Sequence, residues 1–397
     1  MRRILMTVAA LGAIAAGLST GEEARAAECL LDTNNDGDAD SNVDTTGGAN
    51  DQDDSESLAC GNSSSANSNN TNSDGAVAIG SFANAFGAGA LAIGNDVNAT
   101  GDDALAVGGD ADSNGYGLTS ATANGASAIG VGADATALNS TAVGSLAQAT
   151  AASAIALGHQ SDAIGNSSIA IGGDGLDADT NGAQATGGES VAIGPDAASL
   201  GNDSVALGHG ASSTAAANEG IAIGRLAAVT GDGATAIGAR ANAGGTGSAA
   251  LGEGSNASAN FSVAIGASAN STGNISTAVG ASSSAGGALS SAFGRLANAA
   301  GNDSVSIGNA SDAALDGAIA IGGDGADGDT EGAQATGLRS IALGADSIAS
   351  QVNSLAFGAG TVSSGNGSVA IGGDGNDSNT IGARATQDRA SAFGADA

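Results

Sequence analysis

The groups in this sequence that could do chemistry are carboxylates, and the most regular of them stand in three phrases of shared wording. They read Gly172-Gly173-Asp174-Gly175-Leu176-Asp177-Ala178-Asp179-Thr180, Gly322-Gly323-Asp324-Gly325-Ala326-Asp327-Gly328-Asp329-Thr330 and Gly372-Gly373-Asp374-Gly375-Asn376-Asp377-Ser378-Asn379-Thr380. The first six residues match the G-G-x-G-x-D opening of a calcium-binding nonapeptide repeat. Closely spaced carboxylates are hard oxygen ligands, the kind calcium takes. Two features argue against a calcium roll. The eighth place should hold a large aliphatic and holds Asp179, Asp329 or Asn379, and no copy directly follows another. The phrases therefore read first as loops projecting from a scaffold. One calcium per loop, through Asp174, Asp177 and Asp179 or through Asp324, Asp327 and Asp329, is the alternative.

The other candidates are fewer. Asp32, Asn34, Asp36, Gly37 and Asp38 open like a calcium loop, but the twelfth place, where a bidentate acid belongs, is Val43. A solvated acidic linker is the simpler reading. His159 and His209 are the only histidines, and each directly follows a glycine of the repeat described below. A ring of such histidines about a symmetry axis could bind metal; a solvated turn is the plainer account. No nucleophile–base pair, phosphate cradle or basic patch stands out, so the chain is not read as an enzyme and no cofactor is required. Nine basic residues against 41 acids, a net charge of −32, argue against a nucleic-acid partner.

What positions these groups is a repeat. A large apolar residue followed by glycine recurs from Ile79-Gly80 to Phe393-Gly394, at twenty intervals of which fifteen are 14 residues, four are 22 and one is 16. The residue two before the glycine is Ala in every copy except Ser306. Such a register marks a solenoid. Fourteen is also two heptads, but a helix would lose about 1 kcal/mol at each glycine relative to Ala, and the chain has no Lys for interhelical pairing. The apolar spacing is two, as in Val191/Ile193 and Val205/Leu207, which is the period of a strand. Each coil thus reads as two short strands joined by two tight turns, with glycines where turns need positive φ. Stacked coils form a narrow parallel β-roll, about 100 Å long for some twenty-two coils at the ~4.8 Å spacing of paired strands. Alternation predicts that the Val and Ile face fills the interior. The Ala column then offers a flat, small-residue surface along which a second chain can approach, or is small because a tight roll has no room for more; both can hold.

The chain divides into three parts. Met1–Arg3 are basic at their end, residues 4–18 are apolar, and Ala24-Arg25-Ala26 is a small-x-small cleavage site, so residues 1–26 read as a secretory signal peptide. Removing them leaves six Arg against 39 acids, a net charge of −33. Residues 27–56 are an acidic segment and residues 57–397 the repeat array. Cys29 and Cys60 bracket the acidic segment, and in an exported chain two cysteines suggest one disulfide. Cys60 occupies the slot that Ile fills in later coils.

The units Ser190-Val191-Ala192-Ile193-Gly194 and Ser204-Val205-Ala206-Leu207-Gly208, and Asn366 through Gly372, resemble the YadA-like head repeat of trimeric autotransporter adhesins. The resemblance covers residues 57–397. It implies a left-handed parallel β-roll, three chains side by side as a homotrimer, and display on a Gram-negative cell surface. It also implies binding to host extracellular matrix proteins or other surfaces, or autoagglutination. Family members continue into a heptad stalk and a β-barrel anchor, whereas this sequence ends at Asp396-Ala397. The protein is therefore expected at the outer membrane if an anchor follows and secreted otherwise. The rival reading is a structural or ice-facing solenoid without a receptor, which would want a regular Thr column.

Overall fold

The computed structural model describes residues 57–66, 75–109, 117–175, 181–325, 330–373 and 382–395. The chain forms two compact units, Met1–Asp196 and Ala197–Ala397. Each is a parallel β-solenoid, and among the described residues there is no helix. The first unit shows nine three- to five-residue strands and eight two-residue strands, and the second shows thirteen of each class. Long strands pair only with long and short only with short, so each unit has two parallel ladders.

One coil of the second unit shows how the sequence makes the turn. Val263–Ile265 is the long strand and Asn270–Ser271 the short one. The first turn closes from Ala269 N to Gly266 O at 3.2 Å, the second from Ser276 N to Gly273 O at 3.2 Å. Each turn has one residue in the left-handed region, Ser268 at φ 55° and Ile275 at φ 58°. The next coil repeats the geometry in register, with Val263 opposite Thr277, Ala264 opposite Ala278 and Ile265 opposite Val279. Ladder hydrogen bonds such as Val263 N to Ser276 O (2.9 Å) and Gly280 N to Ile265 O (2.8 Å) hold the stack.

The two glycines of a coil have different reasons. Gly280 sits at φ 137°, outside the range of L side chains, and a Cβ there would lie 2.3 Å from Gly294 O of the next coil. Gly273 has no positive φ, contrary to expectation. Its Cβ would lie 1.8 Å from Gly287 O, so close approach of stacked backbones is the constraint there. Beyond these anchor glycines, the left-handed turn position falls mostly on other residues, among them Asp203 at φ 54°, Ser282 at φ 56° and Asn353 at φ 56°.

The interior reverses the expected facing. Ala264, the middle of its strand, is fully buried with Ser262, Ala269 and Ser271, and these four positions face inward in coil after coil. Val263 and Ile265 face out. Among the described residues the largest fully buried side chains are Val97, Val229, Thr119 and Thr361, followed by serines. A coil of two strands encloses a slot that methyl and hydroxymethyl groups fill, and Ile does not fit. The Ala column, including Ala192 and Ala206, is therefore the core and not a surface for another chain. Burying one methyl stabilises by only ~0.8 kcal/mol, so the ladders hold the unit as much as its core does.

Many inward serines are satisfied locally, while the buried Oγ atoms of Ser168, Ser248, Ser290 and Ser304 have no hydrogen-bond partner. Ser204 Oγ donates to Gly201 O at 2.6 Å and Ser276 Oγ to Gly273 O at 2.6 Å, closing the second turn. Hydroxyls also meet across the slot, as in Ser271 and Ser276 at 2.6 Å. Ser306, the one break in the Ala column, does the same with Ser311, its Oγ 2.7 Å from that Oγ.

Candidate interaction surfaces

With Ala and Ser turned inward, the outer chemistry of each unit is set by two faces. On the long-strand face the first and third strand residues point out. The third is aliphatic or Phe in every described coil except at Cys60, which pairs with Ile79. These residues are half-buried to exposed: Leu207 is 40% exposed, Ile265 39% and Phe293 40%. The face is an apolar strip running along each ladder. Monomeric soluble proteins rarely expose contiguous apolar patches beyond a few hundred Å².

The sequence held a signal for this facing that alternation alone hides. The third position accepts Val, Leu, Ile and Phe, residues of unequal volume, at Val279, Leu251, Ile265 and Phe293. The middle position never exceeds Ala or Ser. Tolerance of size belongs to an outer surface, and uniform smallness belongs to the closed slot.

The short-strand face presents its first residue, and here the chemistry is mostly polar, with Ala198, Ala228, Ile348 and Val362 as the apolar members. In the second unit Asn242 Nδ2 donates to Asn256 Oδ1 and Asn256 Nδ2 to Asn270 Oδ1, each at 2.8 Å, forming an amide ladder along the stack. Asn298 Nδ2 donates to Asp312 Oδ1 at 2.8 Å. In the first unit Asn84 Nδ2 reaches Asn98 Oδ1 at 3.0 Å, and Asp134, Gln148, Asp162 and Gln184 then succeed one another in register. Burial pushes the carboxyls of Asp134 and Asp162 above the usual carboxylate range. Burial does the same at Asp312, opposed by the Asn298 hydrogen bond and aided by the Glu331 charge.

The longer units leave both ladders intact. Ile169–Ile171 pairs directly with Val191–Ile193, and Asp162–Ala163 with Gln184–Ala185, across the insertion that follows Gly172. The insertions thus replace a first turn. Two of them open alike: Asp174 N donates to His159 O and Asp324 N to Asn309 O, each at 3.1 Å. Gly175 N donates to Asp196 Oδ1 at 2.7 Å, and Gly325 N to Asp346 Oδ1 at 2.9 Å. Oδ1 of Asp174 and of Asp324 is buried without a hydrogen-bond partner. Asp177, Asp179, Asp327 and Asp329 lie outside the described residues. Among the described residues no three His, Cys, Asp or Glu side chains come together to hold a metal. His159 and His209 are exposed, each in a first turn of its own unit. Cys60 is disulfide-bonded, and Cys29 lies outside the described residues.

The comparisons with known proteins agree with this architecture. The YadA head domain repeat (2 copies) matches residues 72–96, 121–147, 149–174, 185–211, 215–241, 243–269, 257–283, 285–311, 331–347, 335–361 and 349–374, more than half of the chain. No curated protein matches the sequence.

Proposed function

The chain belongs to the YadA head family, and from that premise we propose that it is the adhesive head of an exported surface protein, assembled as a homotrimer. The family is one of adhesins, and its members form homotrimers that bind surface proteins. The observation that carries the reading is the apolar strip on the long-strand face. Three copies turned inward on those faces would cover residues such as Leu251, Ile265 and Phe293, each large side chain worth ~1.5–3 kcal/mol when fully buried. The polar short-strand face and the turns then remain for contact with a target.

In this assembly the insertions and the acidic segment carry most of the charge, and Cys29 closes on Cys60 at the first strand. Adhesion proceeds at short range. At about 0.15 M salt the Debye length is ~8 Å, so the charge of the exported chain is screened beyond close contact. Many weak sites along one assembly add through effective concentration.

Mature protein beginning at Ala27 should sediment at three times the mass of one chain. It should bind immobilised collagen, fibronectin or another matrix protein saturably, and more strongly as salt rises from a few millimolar to ~0.15 M. A folded single-chain mass in dilute buffer overturns the assembly. Absence of saturable binding at every salt, with and without calcium, overturns the adhesive reading and leaves a structural solenoid.

A further inference from the structure

A long strand runs from a second turn to a first turn, so its two ends mark the two edges of the coil. In the second unit three described strands carry opposite charges at their ends. Glu219 precedes Ile221–Ile223 and Arg225 follows it; Asp232 precedes Thr235–Ile237 and Arg240 follows it. Around Ile341–Leu343 the signs are exchanged, with Arg339 before the strand and Asp346 after it. Like charges flank Ile319–Ile321, between Asp316 and Asp324, where an insertion replaces the first turn. The first unit has no opposite pair among its described residues, and Glu189 and Asp196 flank Val191–Ile193 with like charge. The exported chain has only six Arg, and three of them stand at these strand ends.

These charges cannot meet within one chain. Glu219 and Arg225 stand at opposite ends of an extended segment, about 20 Å apart at ~3.3 Å per residue. Glu219, Arg225, Asp232 and Arg240 are exposed, and none of them forms an ion pair among the described residues. Successive coils stack on both edges: Arg240 N donates to Arg225 O at 2.9 Å, and Gly233 N to Asn218 O at 2.8 Å. Arg225 and Arg240 thus rise together on one edge, and Glu219 and Asp232 on the other, at matching levels.

In a three-fold assembly the contact between neighbours is head-to-tail around the ring, one edge of a chain against the other edge of the next. With long-strand faces toward the axis and no axial offset, the end of a strand meets the start of the same strand in the next copy. Arg225 then faces Glu219, Arg240 faces Asp232, and Asp346 faces Arg339. A slip of one coil in one direction leaves Arg240 against Gly247 and Asp346 against Asn353. In the other direction it sets Asp346 against Asp316. The exchanged signs at Ile341–Leu343 are what a single-sign pattern lacks, because they make both slips unfavourable. We propose that these three pairs form the seam between copies and set the axial register of the assembled head. The proposal rests on the homotrimeric reading and narrows it: these turns meet a neighbouring copy, and the short-strand face is left for a target. Such pairs decide alignment more than affinity.

The test is a charge-swap cycle in the mature protein, followed by sedimentation equilibrium at low salt and at ~0.15 M. Arg225→Glu sets acid against acid in every seam. It should raise the concentration needed for assembly about tenfold at low salt and less at ~0.15 M, with the β-sheet circular dichroism unchanged. Adding Glu219→Arg, on the same strand, should restore assembly to that of the unaltered protein. Adding Asp232→Arg instead, one coil away, should weaken it further, since Arg240 then faces Arg. Unchanged assembly of Arg225→Glu overturns the seam while the homotrimer stands. Failure of Glu219→Arg to rescue also overturns it, because the residues then act other than as a pair. Rescue by Asp232→Arg overturns the register and places the copies one coil out of step. A single-chain mass for the unaltered protein sinks the homotrimer itself, and the seam with it.

Discussion

The long-strand and short-strand faces meet the same inward demand and answer it alike, yet outwardly they are opposites. Inward, Ala264 on one ladder and Ser271 on the other are both fully buried. Outward, the long ladder carries Val263 and Ile265, and the short ladder carries Asn270 in an amide ladder with Asn256. The slot dictates size on the inner side of both sheets and dictates nothing on the outer side. The outer residues are therefore where the two faces differ, and on the proposed reading the apolar face is covered by further copies of the chain while the polar face meets water and a target.

The largest effect should come from breaking what the faces share. Ala264→Asp places a carboxylate in a slot with no room for water, a cost of several kcal/mol for an unpaired buried charge. Far-UV circular dichroism should show a large loss of stability of the second unit, with or without assembly. An unchanged melting curve would mean that the strand middle does not face inward.

The next effect separates the faces. Leu251→Asp with Ile265→Asp alters only the outer long-strand face, where each Ile or Leu contributes ~1.5–3 kcal/mol on full burial. The expected outcome is dissociation to single chains that keep their β-sheet signal. The paired change Asn256→Asp with Asn270→Asp on the short-strand face should leave the sedimenting mass unchanged. Equal outcomes for the two pairs would refute the assignment of the long-strand face as the assembly surface.

The smallest effect concerns protons. Asp134, Asp162 and Asp312 all have carboxyls raised by burial, so the folded chain holds these protons more tightly than the unfolded chain does. Ionised, they oppose folding at neutral pH. That opposition is relieved as pH falls through the raised values and is gone below the ordinary value of 3.8. The melting temperature should therefore rise modestly from pH 7 towards pH 4, and Asp162→Asn should raise it at pH 7 and flatten the dependence. A melting temperature that falls over this range counts against burial of these carboxyls in the folded state.

Much of this molecule is legible in one dimension. The recurrence of Ile-Gly and Val-Gly at 14 residues sets the coil, its two strands and the in-register stacking. The fixed place of the eight added residues, between a long strand and a short one, already says that the ladders pass the insertions by. Period two is also plain in Val191-Ala192-Ile193. What period two cannot give is phase, because either set of alternate residues can be the buried one until the width of the enclosure is known. That width is a tertiary quantity. Two opposed strands joined by tight turns leave space for Ala192 and Ser190 and none for Ile193, so the customary order of apolar inside is inverted. The strain at Phe261, Ile275 and Leu289 is likewise invisible in sequence, since only the backbone shows that they hold left-handed turns. Composition and period determined the kind of fold; the narrowness of the slot decided which side of each described strand is the core and which is left facing outward.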